Sequence, residues 1–550
     1  MINAESSTNM KKLLFHTLCL ILIMVLTFAI GCSTSTSITV KTAEEQTALL
    51  FGAELLSNAE IDQLKSNRER IPAGDARAVM YYNGTELACL AGRRTFYVTV
   101  LQTAVEGTLH KGVLSGPSGY HIVINRDLIP SDLTKMIENG NTLMVYMFGE
   151  TDYFAAELII TYLPVISIDI DDDRNLSETL QGAQFKLHNS AADDANSYVK
   201  SRAEVKIRGA SSKSFPKNNL RIDLKGAAGE NRKISFLGMR RDDDWILTAM
   251  FGDENKIREM TAWQLWRDMN SYYPGLDCSC APATAYVEVI LNGTYQGLYM
   301  LMEKFDAKTM QLDEKSSDVL FKGTTWDIPD SNGLGKQSRT SSSYMGLEKK
   351  WPDPEETMTD GLWKVIAEYI HVVYETEGAD FAAGIANAAS LSNLIDYWIF
   401  TNLIMAEDNT FKNAYFSVKN GLVYVLPWDL DITFGLRWNG DPDTNYVYRE
   451  PCSVSQTYDF RAGRRFIKYY DGAADMLQKR WTALRENGVI TPEHIMETAE
   501  AYWTQIHASG AIAREYRRWA KTSYSNDLTY FSDTIKQRID WLDEYIYALE

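Results

Sequence analysis

Ile404 to Gly435 reads "IMAEDNTFKNAYFSVKNGLVYVLPWDLDITFG". It places Asp408, Asn413, Asp429 and Asp431 around what reads as a hairpin. The apolar, helix-patterned segment "LSNLIDYWIFTNLIMAE" leads into Asp408. A loop follows, where side chains are free to face a cleft. "GLVYVLPW" then reads as a strongly apolar strand. It delivers Asp429 and Asp431 at its end, on one side if the extended conformation continues. These four residues are either a metal site or turn residues that cap a loop and a strand end.

The D-x4-N spacing of Asp408 and Asn413 is that of protein-kinase-type phosphoryl transfer. There the Asp accepts or orients the proton of the attacking hydroxyl, and the Asn holds magnesium. Magnesium takes hard oxygen ligands and keeps several waters, so one or two carboxylates plus nucleotide phosphates suffice. A rival chemistry uses the same residues. "VLPWDLDIT" also satisfies an apolar strand followed by D-x-D-x-T, the nucleophile motif of haloacid-dehalogenase-type phosphatases. In that reading Asp429 attacks phosphorus and Asp431 is the acid/base. It requires a doubly wound α/β core around the motif.

The chain has 550 residues, 45% of them hydrophobic, which predicts two or three globular domains. A net charge of −18 disfavours nucleic acid as a partner and suits a basic substrate or a bound cation. No H-E-x-x-H and no G-x-S-x-G occurs, so a zinc protease or serine hydrolase has no support. At the N-terminus, Lys11 and Lys12 precede an apolar run from Leu13 to Ile30, ending in "AIGC" before "STSTS". This resembles a bacterial lipoprotein signal over residues 1–31. The resemblance implies lipidation of Cys32, a polar tether over 32–45, and a protein anchored by lipid to the extracytoplasmic face of the cell membrane. An uncleaved anchor is the alternative. Of the other cysteines, Cys278-Ser279-Cys280 is too short for a metal knuckle, and a disulfide from Cys452 to either member of that pair is open.

From 46 to 163, short apolar runs alternate with Gly, Asn and Asp, which predicts a small β-rich or α+β domain. "LPVISIDIDDD" opens a new unit at about 164. Residues 200–305 read as strand-rich. Leu220, Ile222 and Leu224 share one face of a strand, while Lys217, Asn219, Arg221 and Asp223 share the other, a polar face that can look into a cleft. Lys217 and Arg221 are therefore both candidates for a cation on phosphates. Asn292-Gly293 reads as a hairpin turn. Between the strands, "DENKIREMTAWQLWRDM" reads as a helix capped by Asp253. Beyond 306 the patterns are mostly helical.

Six blocks, in order, resemble the CotH spore-coat protein kinase family. They are "RGASSKSFPKNNLRIDL" (208–224), "DDWILTAMFGDENKIREMTA" (243–262), "VILNGTYQGLYMLMEKFD" (289–306), "EKKWPDPEE" (348–356), "DNTFKNAYF" (408–416) and "VLPWDLDITFG" (425–435). The resemblance implies an α+β fold: an atypical two-lobed protein-kinase-like domain over 164–550, preceded by the small β-rich domain. Its strand-rich lobe would span about 200–305 and its helical lobe about 306–550. It further implies transfer of the γ-phosphoryl of ATP, with magnesium, to Ser or Thr of a protein substrate. The acidic surface suggests that this substrate is basic and Ser-rich. On the resemblance Asp408 is the catalytic Asp, Asn413 and Asp429 bind the metal, and Asp431 is a second metal ligand. Arg208 opens a small-residue turn over the phosphates, which lacks the G-x-G-x-x-G of ordinary kinases. Arg258 matches a family position near phosphate, and Glu303 lies where the lobes would join, near the adenine. A catalytically silent surface-binding lipoprotein on the same fold is the competing reading.

Overall fold

The computed structural model describes residues 41–550, apart from 93, 106–110, 172–174, 193–196, 271–279, 314, 339, 353–360, 437–459 and 521–526. The N-terminal run, Cys32, Cys278 and Cys452 lie outside the described residues. A helix Ala43–Phe51 begins inside the expected tether, because Thr42 and Glu45 form a reciprocal capping box. Residues up to Thr161 then build a seven-stranded mixed sheet and a three-stranded antiparallel sheet, with helices and a hydrophobic core of their own.

From Val165 the chain forms a closed seven-stranded barrel. Its strands are β1 (Val165–Ile170), β2 (Gln181–His188), β3 (Tyr198–Arg208), β4 (Asn219–Lys225), β5 (Asp244–Thr248), β6 (Thr284–Leu291) and β7 (Thr294–Glu303). Neighbours run β1-β2-β3-β4-β5-β7-β6, and β6 pairs in parallel with β1 to close the ring. The strand-rich part thus starts some 35 residues before the expected position near 200, because the "VISIDI" segment supplies the closing strand. Period-two patterning fills the interior: Leu220, Ile222 and Leu224 all face inward with Ile166, Ile168 and Val205. Asn292 and Gly293 turn the β6–β7 hairpin with φ of 47° and 68°, as a two-residue hairpin turn requires. The N-terminal part is joined to this barrel through Ala91 N–H to Gly293 O (3.0 Å) and a Tyr97–Tyr295 stack at 5.7 Å.

The outer face of the barrel, with Ile246, Leu298, Met300 and Met302, belongs to a second, larger core. Helix α1 (Arg258–Met269) and the helices of the C-terminal half pack there. Helix α1 starts five residues later than Asp253, the expected cap. The chain turns through the left-handed region at Lys256, and Asp253 Oδ2 accepts the Arg258 N–H at 2.8 Å from outside the helix. Asp253 therefore satisfies the helix start without being its N-cap residue.

The C-terminal half is not purely helical. It contains a five-stranded antiparallel sheet in the order β9-β10-β8-β11-β12, where β8 is Val319–Gly323, β9 Ser343–Tyr344, β10 Leu347–Trp351, β11 Ala414–Lys419 and β12 Leu422–Pro427. The short, polar context of the first three strands concealed them. Helix α2 (Leu391–Leu403) packs on this sheet. The Asn393 side chain pairs with Val425 in both directions, donating at 3.0 Å and accepting at 2.6 Å. Among the described residues, 492–547 form the helices Pro492–Ala508, α3 (Ala511–Trp519) and Thr529–Tyr547.

Candidate functional site

A cavity of about 1230 Å³ is lined by the barrel end on one side and by the sheet and loops of the C-terminal half on the other. The α2–β11 loop and the end of β12 meet there. Asn409, 2% exposed, stitches them: its Nδ2 donates to Asn413 O (2.9 Å) and to Trp428 O (2.8 Å). Tyr397 on α2 donates to Asn409 O at 2.9 Å, and Phe434 N–H reaches Ile404 O at 2.6 Å. The loop carrying Asp408 is thus registered against the strand end carrying Asp429 by buried hydrogen bonds.

Asp408, Asn413, Asp429 and Asp431 all line this cavity. The route differs from the sequence expectation. The extended conformation stops at Pro427, so Asp429 and Asp431 do not share one side of a continued strand. Asp429 (φ 62°) and Asn413 (φ 58°) both occupy the left-handed region, which Asn and Asp tolerate better than other non-glycine residues. Burial raises the Asp408 carboxyl, Lys412 at 3.7 Å opposes this, and the charge of Asp429 adds to it. Asp431 is raised by burial and then by the charges of Asp429, Asp253 and Asp408. Several carboxylates crowd together, and each makes its neighbour's negative charge more costly.

Besides Lys412, Arg208 and Lys322 bring positive charge to this cavity. Arg208, at the end of β3, lines the cavity with its guanidinium 5.5 Å from the Trp428 ring. Lys322, on β8, projects over the rings of Trp428 (5.1 Å) and Tyr415 (5.5 Å). Burial lowers its ammonium to about 8, against the pull of Asp429. The turn after Arg208, with Gly209, Ser211 and Ser212, also lines the cavity.

The other expected phosphate contacts are placed elsewhere. Lys217 touches the cavity wall, but its ammonium is fully buried against Glu515 at 2.8 Å and against backbone carbonyls. Arg221 is outside the cavity lining, paired with Asp223 (2.7 Å) and Asp244 (3.2 Å). Of the polar face of β4, Asn219 lines the cavity whereas Arg221 and Asp223 do not. Arg258 is buried in an ion pair with Asp253 at 2.6 Å and is absent from the lining. Glu303 ends β7 as expected, yet its carboxylate accepts the N–H groups of Arg240 (2.7 Å) and Ala283 (3.1 Å). It braces barrel loops.

Sequence reading missed Asn409, Lys322 and Glu259. Glu259, in the first turn of α1, is 4% exposed with no hydrogen-bond partner on Oε2. Burial raises its carboxyl well above the usual range, followed by the charges of Asp431 and Asp429. Asn409 had a visible signal, its position beside Asp408. Lys322 and Glu259 had none, since each lies in an unremarkable strand or helix segment.

Among the described residues, no three His, Cys, Asp or Glu side chains converge tightly enough to hold a metal ion by themselves. The site supplies one or two carboxylates and an amide oxygen, with the buried Glu259 behind them. That donor set fits a divalent ion that brings waters and phosphate oxygens with it. The strand before Asp429 is the edge of an antiparallel sheet. The haloacid-dehalogenase-type reading required a doubly wound core there, and the topology excludes it. Residues 205–546 match the family described as CotH kinase protein. No curated protein matches the chain.

Proposed function

The chain belongs to the CotH kinase family, and from that premise we propose that its cavity binds ATP with magnesium and transfers the γ-phosphoryl to Ser or Thr of a protein. The observation that carries this reading is the convergence of Asp408, Asn413, Asp429 and Asp431 on one cavity that also holds Arg208 and Lys322. In this reading the barrel and the sheet-plus-helix half are the two lobes of an atypical kinase, and the cavity is the cleft between them.

Asp408 accepts the proton of the acceptor hydroxyl as its oxygen bonds to the γ-phosphorus and the bond to ADP breaks. Burial and the charge of Asp429 raise its carboxyl above the ordinary range, which makes it a better proton acceptor and suits that role. Asn413, Asp429 and Asp431 are the oxygen donors to magnesium, which when bound neutralises phosphate charge. Arg208 and Lys322 hold phosphate oxygens, Arg208 as a two-pronged donor and Lys322 as a point charge over an apolar floor. They replace Lys217 and Arg221 in that role. Catalysis is then mostly positioning and charge neutralisation. The acceptor is a basic, Ser-rich protein, in keeping with a net charge of −18. The protein works on the extracytoplasmic face of a bacterial membrane, held by lipid on Cys32.

The test is incubation of the full chain with labelled ATP, magnesium and a basic Ser-rich peptide. Label on the peptide, abolished by Asp408→Asn, supports the reading. Magnesium-ATP binding without transfer to any acceptor, or no binding, favours the silent surface-binding alternative.

A further inference from the structure

Behind the cavity wall formed by Thr248 to Gly252 lies a buried group of charges that the proposed chemistry does not use. Its centre is Glu515 on α3, whose side chain is 1% exposed. The Glu515 carboxylate accepts from Lys217 Nζ at 2.8 and 3.0 Å and from Leu298 N–H at 2.9 Å. Lys256 Nζ stands 3.8 Å away. Both lysines reach past it to the cavity wall: Lys217 donates to Ala249 O at 3.0 Å and Lys256 to Met250 O at 2.7 Å. Ala249 and Met250 line the cavity, and Met250 is itself held at a φ of 49°.

This arrangement is built into the fold. A Cβ on Gly297 would stand 1.9 Å from Glu515 Oε2, so the strand opposite admits the carboxylate only because a glycine is there. Helix α3 is fixed independently by Arg514, buried and paired with Glu288 at 2.6 Å. The three protons of Lys217 are taken by Ala249 O, Leu298 O and Glu515. None remains for a phosphate.

We infer that Glu515 is a positioning residue for the cavity: through Lys217 and Lys256 it fixes the backbone carbonyls of residues 249 and 250, and so the wall against which the nucleotide lies. The mention of a nucleotide rests on the proposed function; the effect on the wall does not. Glu515 is the carboxylate paired with the buried Lys217 ammonium, so its loss strips that cation of its anion, a far larger disturbance than the loss of a surface pair.

Glu515→Gln keeps the shape and removes the charge. In the full chain, hydrogen exchange of the 248–252 amides is expected to accelerate by about tenfold or more, while the β11 and β12 amides keep the parental rate. Magnesium-ATP binding is expected to weaken by about tenfold alongside it. A merely structural role would speed exchange throughout the domain or lower the melting point without this pattern. Parental exchange at 248–252 overturns the inference. If Glu515→Gln does not fold, Lys256→Met, which removes the Met250 O contact together with the approach to Glu515 but leaves the Lys217–Glu515 pair, is read in the same way, and unchanged exchange there overturns it equally. Exchange is measured without nucleotide, so failure of the parent to bind magnesium-ATP would sink the proposed function separately.

Discussion

Asn409→Ala removes one side chain and leaves two buried carbonyls, Asn413 O and Trp428 O, without the donor that joins them. A buried acceptor that loses its partner costs about 1–3 kcal/mol, so the two together cost about 2–6 kcal/mol. That is a large share of the roughly 5–15 kcal/mol that stabilises a typical folded domain. The same change frees the loop bearing Asp408 and Asn413 from the strand end bearing Asp429, so magnesium-ATP affinity should fall by about tenfold or more. Asn409→Asp is the sharper variant, because it keeps the shape but aims carboxylate oxygens at two carbonyls, and it should cost more than Ala. Thermal melting followed by tryptophan fluorescence, with and without magnesium-ATP, reads both effects. A melting point within a degree of the parent for Asn409→Ala, with an unchanged nucleotide-induced shift, would refute the claim that Asn409 assembles the site.

Further expectations concern single residues. Asp408→Asn should abolish phosphoryl transfer while leaving magnesium-ATP affinity nearly intact, whereas Asp429→Ala should weaken that affinity itself; equal turnover in both variants and the parent contradicts the role assignment. His188 is buried between Ser167 and Glu86 O at the joint between the N-terminal part and the barrel, and burial lowers its imidazole from 6.5 to about 4. The unfolded chain therefore binds a proton that the folded one refuses. Stability is complete above pH 6.5 and is lost as pH falls toward 4, by about 3 kcal/mol from this group; His188→Gln should flatten that part of the melting-versus-pH curve. Gly510→Ala should lower the melting point markedly, since Gly510 sits at a φ of 69° and an added Cβ would stand 1.9 Å from Ile137 O. The left-handed backbone alone costs about 1–2 kcal/mol.

Local patterns carried much of this molecule. Alternation placed Leu220, Ile222 and Leu224 in a barrel interior, and Asn292-Gly293 set a hairpin, because both follow from a two-residue period and one turn chemistry. The α2 helix was legible from its helical apolar pattern and β12 from its apolar run, and with them the four residues that reach the cavity. Barrel closure was not legible, because it depends on a parallel pairing of Val165–Ile168 with Glu288–Leu291, more than a hundred residues apart. Nor was the role of Lys217: the strand pattern put it on a polar face, but its partner Glu515 arrives from almost 300 residues away. Charged residues proposed for phosphate divided in this way. Arg208 faces the cavity, while Arg221 and Arg258, and Glu303, which was expected near the adenine, serve ion pairs and loop backbones whose partners only the fold supplies. Lys322 and Glu259 show the reverse case, ordinary positions in sequence that tertiary packing turns toward the carboxylates.

The most direct measurement is a calorimetric titration of the full chain with ATP, with and without magnesium, for the parent and Asp429→Ala. Saturable binding that needs magnesium and is largely lost in Asp429→Ala is the predicted result. No binding at millimolar ATP and magnesium, or binding indifferent to both the ion and Asp429, would contradict the account.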